Sequence, residues 1–303
     1  MLERKLAGLK KAAVICRSLA ALREQDRSFV EDLIRQASTY NYLSNQFGDQ
    51  LASTADQARP INQNARQIWR YWNKGFGDAP KIVQACTRSV EEYKGSLDVQ
   101  NLSFEQINNF VDFPGYIFDK LRAGLISQAH FSDILRATLL ANHGGVWIDA
   151  TVLLTAKIPD KILRGKLFAF STPPSELLGS PYLKASSWFI HANGSECCRR
   201  LCQRLLEYWR RESCLQHYYL FHICFAQLID SVPACGLEWA SVEFETQIYP
   251  HLLQFALPDR FDADRFNTIC EKSFAHKLTH YGVSRSDVDY SFEDHLLCEP
   301  TRS

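Results

Sequence analysis

The chain of 303 residues is short of several things, and each shortage removes a class of function. It has no surplus of charge, since Lys and Arg number 34 and Asp and Glu also number 34. No global field of either sign selects nucleic acid or an acidic polymer, and no nucleic-acid partner is expected. Its ten cysteines form no C-x-x-C pair and no paired Cys/His spacing, which argues against structural zinc. No apolar run reaches the roughly eighteen residues of a membrane-spanning helix. Nor is a signal peptide expected, because Arg17 interrupts the first apolar stretch and no small-residue cleavage site follows it. The thiols therefore read as reduced, in a cytoplasmic protein.

What is present is an ordinary globular composition, 46% hydrophobic and 12% aromatic. That suffices for one large α/β domain with an appendage. Residues 1–59 read as a helical N-terminal segment. Leu2, Leu6, Leu9, Ala13, Cys16 and Ala20 recur at alternating four and three spacing, beside Arg4, Lys5, Lys10, Lys11, Arg17 and Arg23. Such a helix either packs on the following domain or lays its basic face on an anionic membrane surface. Phe29, Leu33, Ile34 and Ala37 continue the helix before the chain turns polar and reaches Pro60, the expected boundary.

Residues 60–285 alternate strand and helix signals, which implies a mostly parallel sheet with right-handed crossovers. Strands are expected at 67–72, 97–102, 146–148, 167–170 and 186–190, and helices at 80–93 and 104–110. The span 196–211 is strongly amphipathic, with Leu201, Leu205, Leu206, Tyr208 and Trp209 facing inward. Arg199, Arg200, Arg204, Arg210 and Arg211 are expected outward, as a solvated basic face. Residues 218–222 open a buried helix in which His222 reads as a hydrogen-bonded core histidine. The Ser- and Pro-rich loop 171–181 is long enough to lie over an acceptor site. Residues 286–303 look like a loose acidic tail.

The stretch 132–155 organises the domain. Ile134, Leu135, Thr138, Leu139 and Ala141 form a helical stripe, with Ser132 and Asp133 at the expected N-terminus. Gly144 and Gly145 end that helix, since glycine accepts the positive φ of a C-cap. Val146-Trp147-Ile148 is a short buried strand by composition. Asp149 and Thr151 follow, pointing to one side at a strand's C-terminal end, where α/β proteins bind ligands.

This string resembles the capsular-polysaccharide-synthesis glycosyltransferases, whose S-D-x-L-R-x-x-L-L-x-x-x-G-G-V-W-I-D-A-T it matches from Ser132 to Thr151. More distantly it is similar to the DxD sugar transferases, including the mannosyltransferases and the clostridial glucosylating toxins. Two further segments look like the family: Ile68-Trp69-Arg70-Tyr71-Trp72 with its glycine loop and Ala79-Pro80, and His276-Lys277-Leu278-Thr279. The resemblance implies a GT-A-like nucleotide-sugar-binding fold and glycosyl transfer, with retention of configuration, from a UDP- or GDP-sugar to a glycan or lipid-linked acceptor in surface polysaccharide synthesis. It also implies Mn²⁺ or Mg²⁺ at the donor diphosphate, on Asp149, Thr151 and His276. Asp133 and Arg136 would contact the donor sugar, Trp69 would stack on the base, and Trp147 and Lys277 would complete the donor site. The chain departs from D-x-D at Thr151, a neutral hydroxyl that offers a hard cation less charge than a second carboxylate. Two rival readings remain, a toxin-like transferase that modifies protein and an inactive homologue acting as a binding module.

Overall fold

A computed structural model describes residues 24–47, 66–172, 180–243, 245–281 and 288–298. The basic helix expected at 1–23, the boundary at Pro60 and most of the loop expected over the acceptor lie outside the described residues.

The molecule is mixed α/β, with a central sheet flanked by helices. Strands β1 (Gln67–Tyr71), β2 (Asp98–Leu102), β3 (Gly145–Ile148), β5 (Leu167–Ser171) and β6 (Ala185–Ala192) form this sheet in the order β2-β1-β3-β6-β5. β1 pairs in parallel with β2 and β3, while β6 runs antiparallel to both β3 and β5. Four of the five strands thus point one way, and β6 opposes them. β4 (Val152–Leu154) and β7 (Ala275–Lys277) make a separate antiparallel pair. Sheet strands covered on both faces need apolar residues at consecutive positions. β3 has that pattern, with all four residues buried.

Six helices matter for the site and its support: α1 (Glu24–Phe47), α2 (Lys81–Tyr93), α3 (Gln128–His143), α4 (Glu196–Arg211), α5 (Leu220–Ser231) and α6 (Phe292–Leu297). α3 lies against β3 and β6 on one side and α4 on the other, which is why Ile134, Leu135 and Leu139 are all fully buried. It begins one turn earlier than expected. Ser127, not Ser132, is its N-cap, with Ser127 Oγ accepting from the His130 amide at 3.2 Å. Asp133 therefore lies inside the helix and caps nothing. The expected helix at 104–110 is a 3-10 turn, Phe104–Asn109, closed by a Ser103/Gln106 capping box.

Two other expectations change for reasons of tertiary packing. Arg204 points inward and is 4% exposed, because α1 docks on α5 and brings its C-terminal end over this side chain. Its guanidinium donates to Gln227 Oε1 at 2.7 Å and to the Phe47 carbonyl at 3.2 Å. A cation at the end of α1 also complements the negative end of that helix. The presumed tail carries α6, opened by a Ser291/Asp294 capping box, and buries Phe292 completely beside Ile82 and Val83 of α2. Among the described residues no single helix is long and apolar enough to cross a membrane.

Candidate active site

The site is built where α3 turns into β3. Gly144 caps α3 with φ +66°, and Gly145 follows with φ +95°. A Cβ on Gly145 would stand 2.4 Å from the Gln67 carbonyl oxygen, so only glycine lets β3 run this close to β1. Trp69 fastens the same crossing, its indole N–H donating to the Gly144 carbonyl at 2.9 Å. β3 then ends at Ile148 and delivers Asp149 to its C-terminal edge, where the Asp149 amide donates to the Trp188 carbonyl of β6 at 2.9 Å.

Arg136 organises the acids. It is 3% exposed, with Nη1 donating to Asp133 Oδ1 at 2.5 Å and Nη2 to Asp149 Oδ1 at 2.7 Å. The one-turn spacing of Asp133 and Arg136 places them side by side on α3. The guanidinium also lies over the rings of Trp147, 5.0 Å to the centroid, and Phe221, 5.3 Å. Trp147 adds an indole donor to Asp149 Oδ1 at 2.7 Å. Burial by itself would raise the Asp133 pKa, but Arg136, His130 and His222 outweigh it and hold the carboxyl below its ordinary value. Both acid side chains keep some exposure, 15% for Asp133 and 24% for Asp149.

Lys277 arrives from β7, whose register sets it opposite Val152. Its ammonium donates to Thr151 Oγ1 at 2.6 Å and to the Leu278 carbonyl at 3.2 Å, and stands 3.9 Å from Asp149 Oδ2. Thr151 and Asp149 therefore converge on one lysine. His276 does not join them. Neighbouring strand residues face opposite ways, and His276 is fully buried with Nε2 3.1 Å from Thr155 Oγ1. Burial pushes its pKa down to about 4.

Trp69 is also placed differently from the expectation of base stacking. It is 4% exposed, packed edge-on to Phe110 at 5.2 Å and against His143 at 5.5 Å, which leaves no face for a ligand. The aromatic at the open end of β1 is Trp72, one residue beyond the strand, half-buried and edge-on to His280 at 5.2 Å.

An ion held by the protein does not fit these side chains. Asp149 Oδ1 already accepts two strong donors, and Thr151 Oγ1 is taken by an ammonium group. Among the described residues no group of three His, Cys, Asp or Glu side chains could hold a metal.

Three participants escaped the sequence reading. Arg70, fully buried on β1, donates from Nη2 to the Ala150 carbonyl at 3.0 Å and so pins the Asp149–Thr151 turn from beneath. His222 is not a hydrogen-bonded core histidine. Its Nδ1 is buried without a partner, and burial pushes its pKa to about 4 within the fields of Asp133, Arg136 and Asp149. Tyr218, 69% exposed, has its pKa raised first by partial burial and then by Asp133 and Asp149, which sets it at the rim. The buried helix expected from residue 218 lies in this corner; nothing in the sequence marked Arg70.

A family model described as "Capsular polysaccharide synthesis protein" matches residues 21–296. Among curated proteins, the chain is 24% identical over 127 residues to an O-glycosyltransferase, braB, of Annulohypoxylon truncatum, covering 39% of this chain and 30% of that protein. It is 24% identical over 114 residues to a glycosyltransferase, afumC, of Aspergillus fumigatus, covering 34% of this chain and 29% of the other. The matched region thus spans less than a third of either relative's length. A solved structure titled "PaToxG Glycosyltransferase" aligns with 79% of this chain and 95% of its own, at 12% identity and a TM-score of 0.38.

Proposed function

The chain belongs to the capsular polysaccharide synthesis protein family, and from that premise we propose that it is a glycosyltransferase that moves a sugar from a nucleotide-activated donor to a glycan acceptor. The observation that carries the reading is the strand-end assembly of Asp149, Arg136 and Asp133, because it presents two carboxylates held by one buried arginine at the edge of the sheet. The relatives named as glycosyltransferases are consistent with the chemistry, and on this reading the fold is of the GT-A type. The acceptor belongs to capsular or another surface polysaccharide, at the cytoplasmic side of a membrane.

In the reaction, the bond between the donor's anomeric carbon and the diphosphate oxygen breaks, and an acceptor oxygen bonds to that carbon. The diphosphate leaves with the electron pair, the acceptor's proton passes to it, and configuration at the sugar is retained. Asp133 and Asp149 accept hydrogen bonds from donor hydroxyls, their geometry fixed by Arg136 before the donor arrives. Trp72 replaces Trp69 as the surface for the base. A nucleotide bound at a strand's C-terminal edge meets Trp72 first, and stacking suits a flat indole with one open side. Mn²⁺ or Mg²⁺ would supply Lewis-acid stabilisation of the diphosphate, but the donor set leaves it no ready-made seat.

Thermal melts with UDP, GDP, CDP and ADP test the donor reading, because a ligand that binds only the folded state raises the melting temperature. At least one diphosphate should raise it by several degrees. No shift with any of the four would remove the nucleotide from the account.

A further inference from the structure

We propose that Lys277 takes the place of the divalent cation, so that this protein binds the diphosphate of its donor without a metal. The inference rests on the nucleotide-donor reading above and goes beyond it. Lys277 Nζ is 2.6 Å from Thr151 Oγ1 and 3.9 Å from Asp149 Oδ2. A Mg²⁺ or Mn²⁺ bound by Asp149 Oδ2 at about 2.0–2.2 Å would share that carboxylate oxygen with an ammonium 3.9 Å away, and two cations on one carboxylate repel most where water is scarce. The other oxygen of Asp149 is occupied by Arg136 and Trp147. Thr151 cannot repair the deficit, since its hydroxyl is neutral and already accepts from the lysine.

The lysine is placed to do the cation's work. β7 holds it by pairing with β4, and the adjacent Leu278 amide donates to the Thr151 carbonyl at 2.9 Å. An ammonium has three N–H donors. Thr151 Oγ1 and the Leu278 carbonyl take two, which leaves a third for an incoming oxygen. The side chain is 23% exposed, so the charge is open to a ligand without being free to wander. The charge is also not used up locally, because Lys277 bonds the neutral Thr151 hydroxyl and stands 3.9 Å from Asp149 Oδ2. An aspartate at position 151 would pair with the ammonium. With threonine there, the protein itself carries positive charge for the leaving group.

The test is calorimetry with UDP and with GDP on EDTA-treated full-length protein, repeated with Mn²⁺, together with Mn²⁺ alone. The expected result is nucleotide binding in EDTA that changes less than threefold when Mn²⁺ is added. Lys277→Met, checked for folding by its melting temperature, should weaken metal-free binding at least tenfold, and Lys277→Arg should keep it within threefold. Binding that occurs only with Mn²⁺ would overturn the inference while leaving the donor reading intact. So would tight binding of Mn²⁺ alone, or a folded Lys277→Met protein with wild-type metal-free affinity. No binding of either nucleotide under any condition would overturn both.

Discussion

Arg136 and Arg204 make an instructive pair. Both sit on helices, both are almost wholly buried at 3% and 4% exposure, and both lie over an aromatic ring, Trp147 and Phe47 respectively. Their partners differ. Arg204 meets neutral acceptors, the Gln227 amide oxygen and carbonyls at the end of α1, and burial lowers its pKa. Arg136 meets two carboxylates that keep part of their surface open. A buried cation tied off by backbone carbonyls joins pieces of the fold, here α1 to α4. A buried cation that holds half-open acids keeps them aimed for a ligand.

The sharpest break in that comparison is Arg136→Gln. Donor hydrolysis should fall at least about 100-fold, equivalent to roughly 2.7 kcal/mol of barrier. Turnover measured with the donor identified by the melts, beside circular dichroism, checks that the loss is not unfolding. Arg204→Met should do the reverse. Orphaned carbonyls and an unpaired amide cost of order 2–3 kcal/mol of stability, read as a lower midpoint in urea, with nucleotide affinity unchanged below the transition.

A second comparison is between two imidazoles that burial pushes far down, His222 at the site and His276 under β4. Both folded pKa values are pushed by burial to about 4, below the ordinary 6.5. The unfolded chain therefore binds more protons between those values, so stability is complete above about pH 6.5 and is lost as pH falls toward 4. Each should contribute on the order of 1 kcal/mol per pH unit at most within that window. Melting temperatures from pH 7 to 4.5 should fall, and His276→Gln, remote from Asp149, should flatten the slope without altering nucleotide binding. A slope unchanged in that variant would remove His276 from the explanation.

The smallest expected difference separates two tryptophans. Trp72→Ala should weaken nucleotide binding by about 1–2 kcal/mol, within the range for base–aromatic stacking. Trp69→Phe should leave affinity within a factor of about three and instead lower stability, because the Gly144 carbonyl loses its donor. Calorimetry and melting curves on the two variants decide between them.

These distinctions show where the sequence was readable. The helix spanning Glu196–Arg211 and the strands around Asp149 were legible because their signals are local, namely periodicity, the Gly-Gly turn and a short β-branched run. Arg204 was misplaced because its partners Leu43 and Phe47 lie more than 150 residues away. On a helix wheel it looks like any solvated arginine. The start of α3 was read at Ser132, and the buried His130 and Phe131 carry the helix back to Ser127. Trp69 and Trp72 were separable only by knowing that β1 ends at Tyr71. His276 and Lys277 were both plausible until pairing with β4 fixed which of them faces Thr151.

The central claim is that Asp149, held by Arg136 and Trp147, works on a nucleotide sugar. The most direct measurement is hydrolysis of UDP- and GDP-sugars by the wild type and by Asp149→Asn, which keeps the shape and removes the charge. The account predicts measurable release of nucleoside diphosphate from at least one donor by the wild type. It predicts at least about a 100-fold lower rate for the variant, with melting temperatures within a few degrees of each other. Wild-type hydrolysis by Asp149→Asn, or no hydrolysis of any donor by either protein, would contradict it.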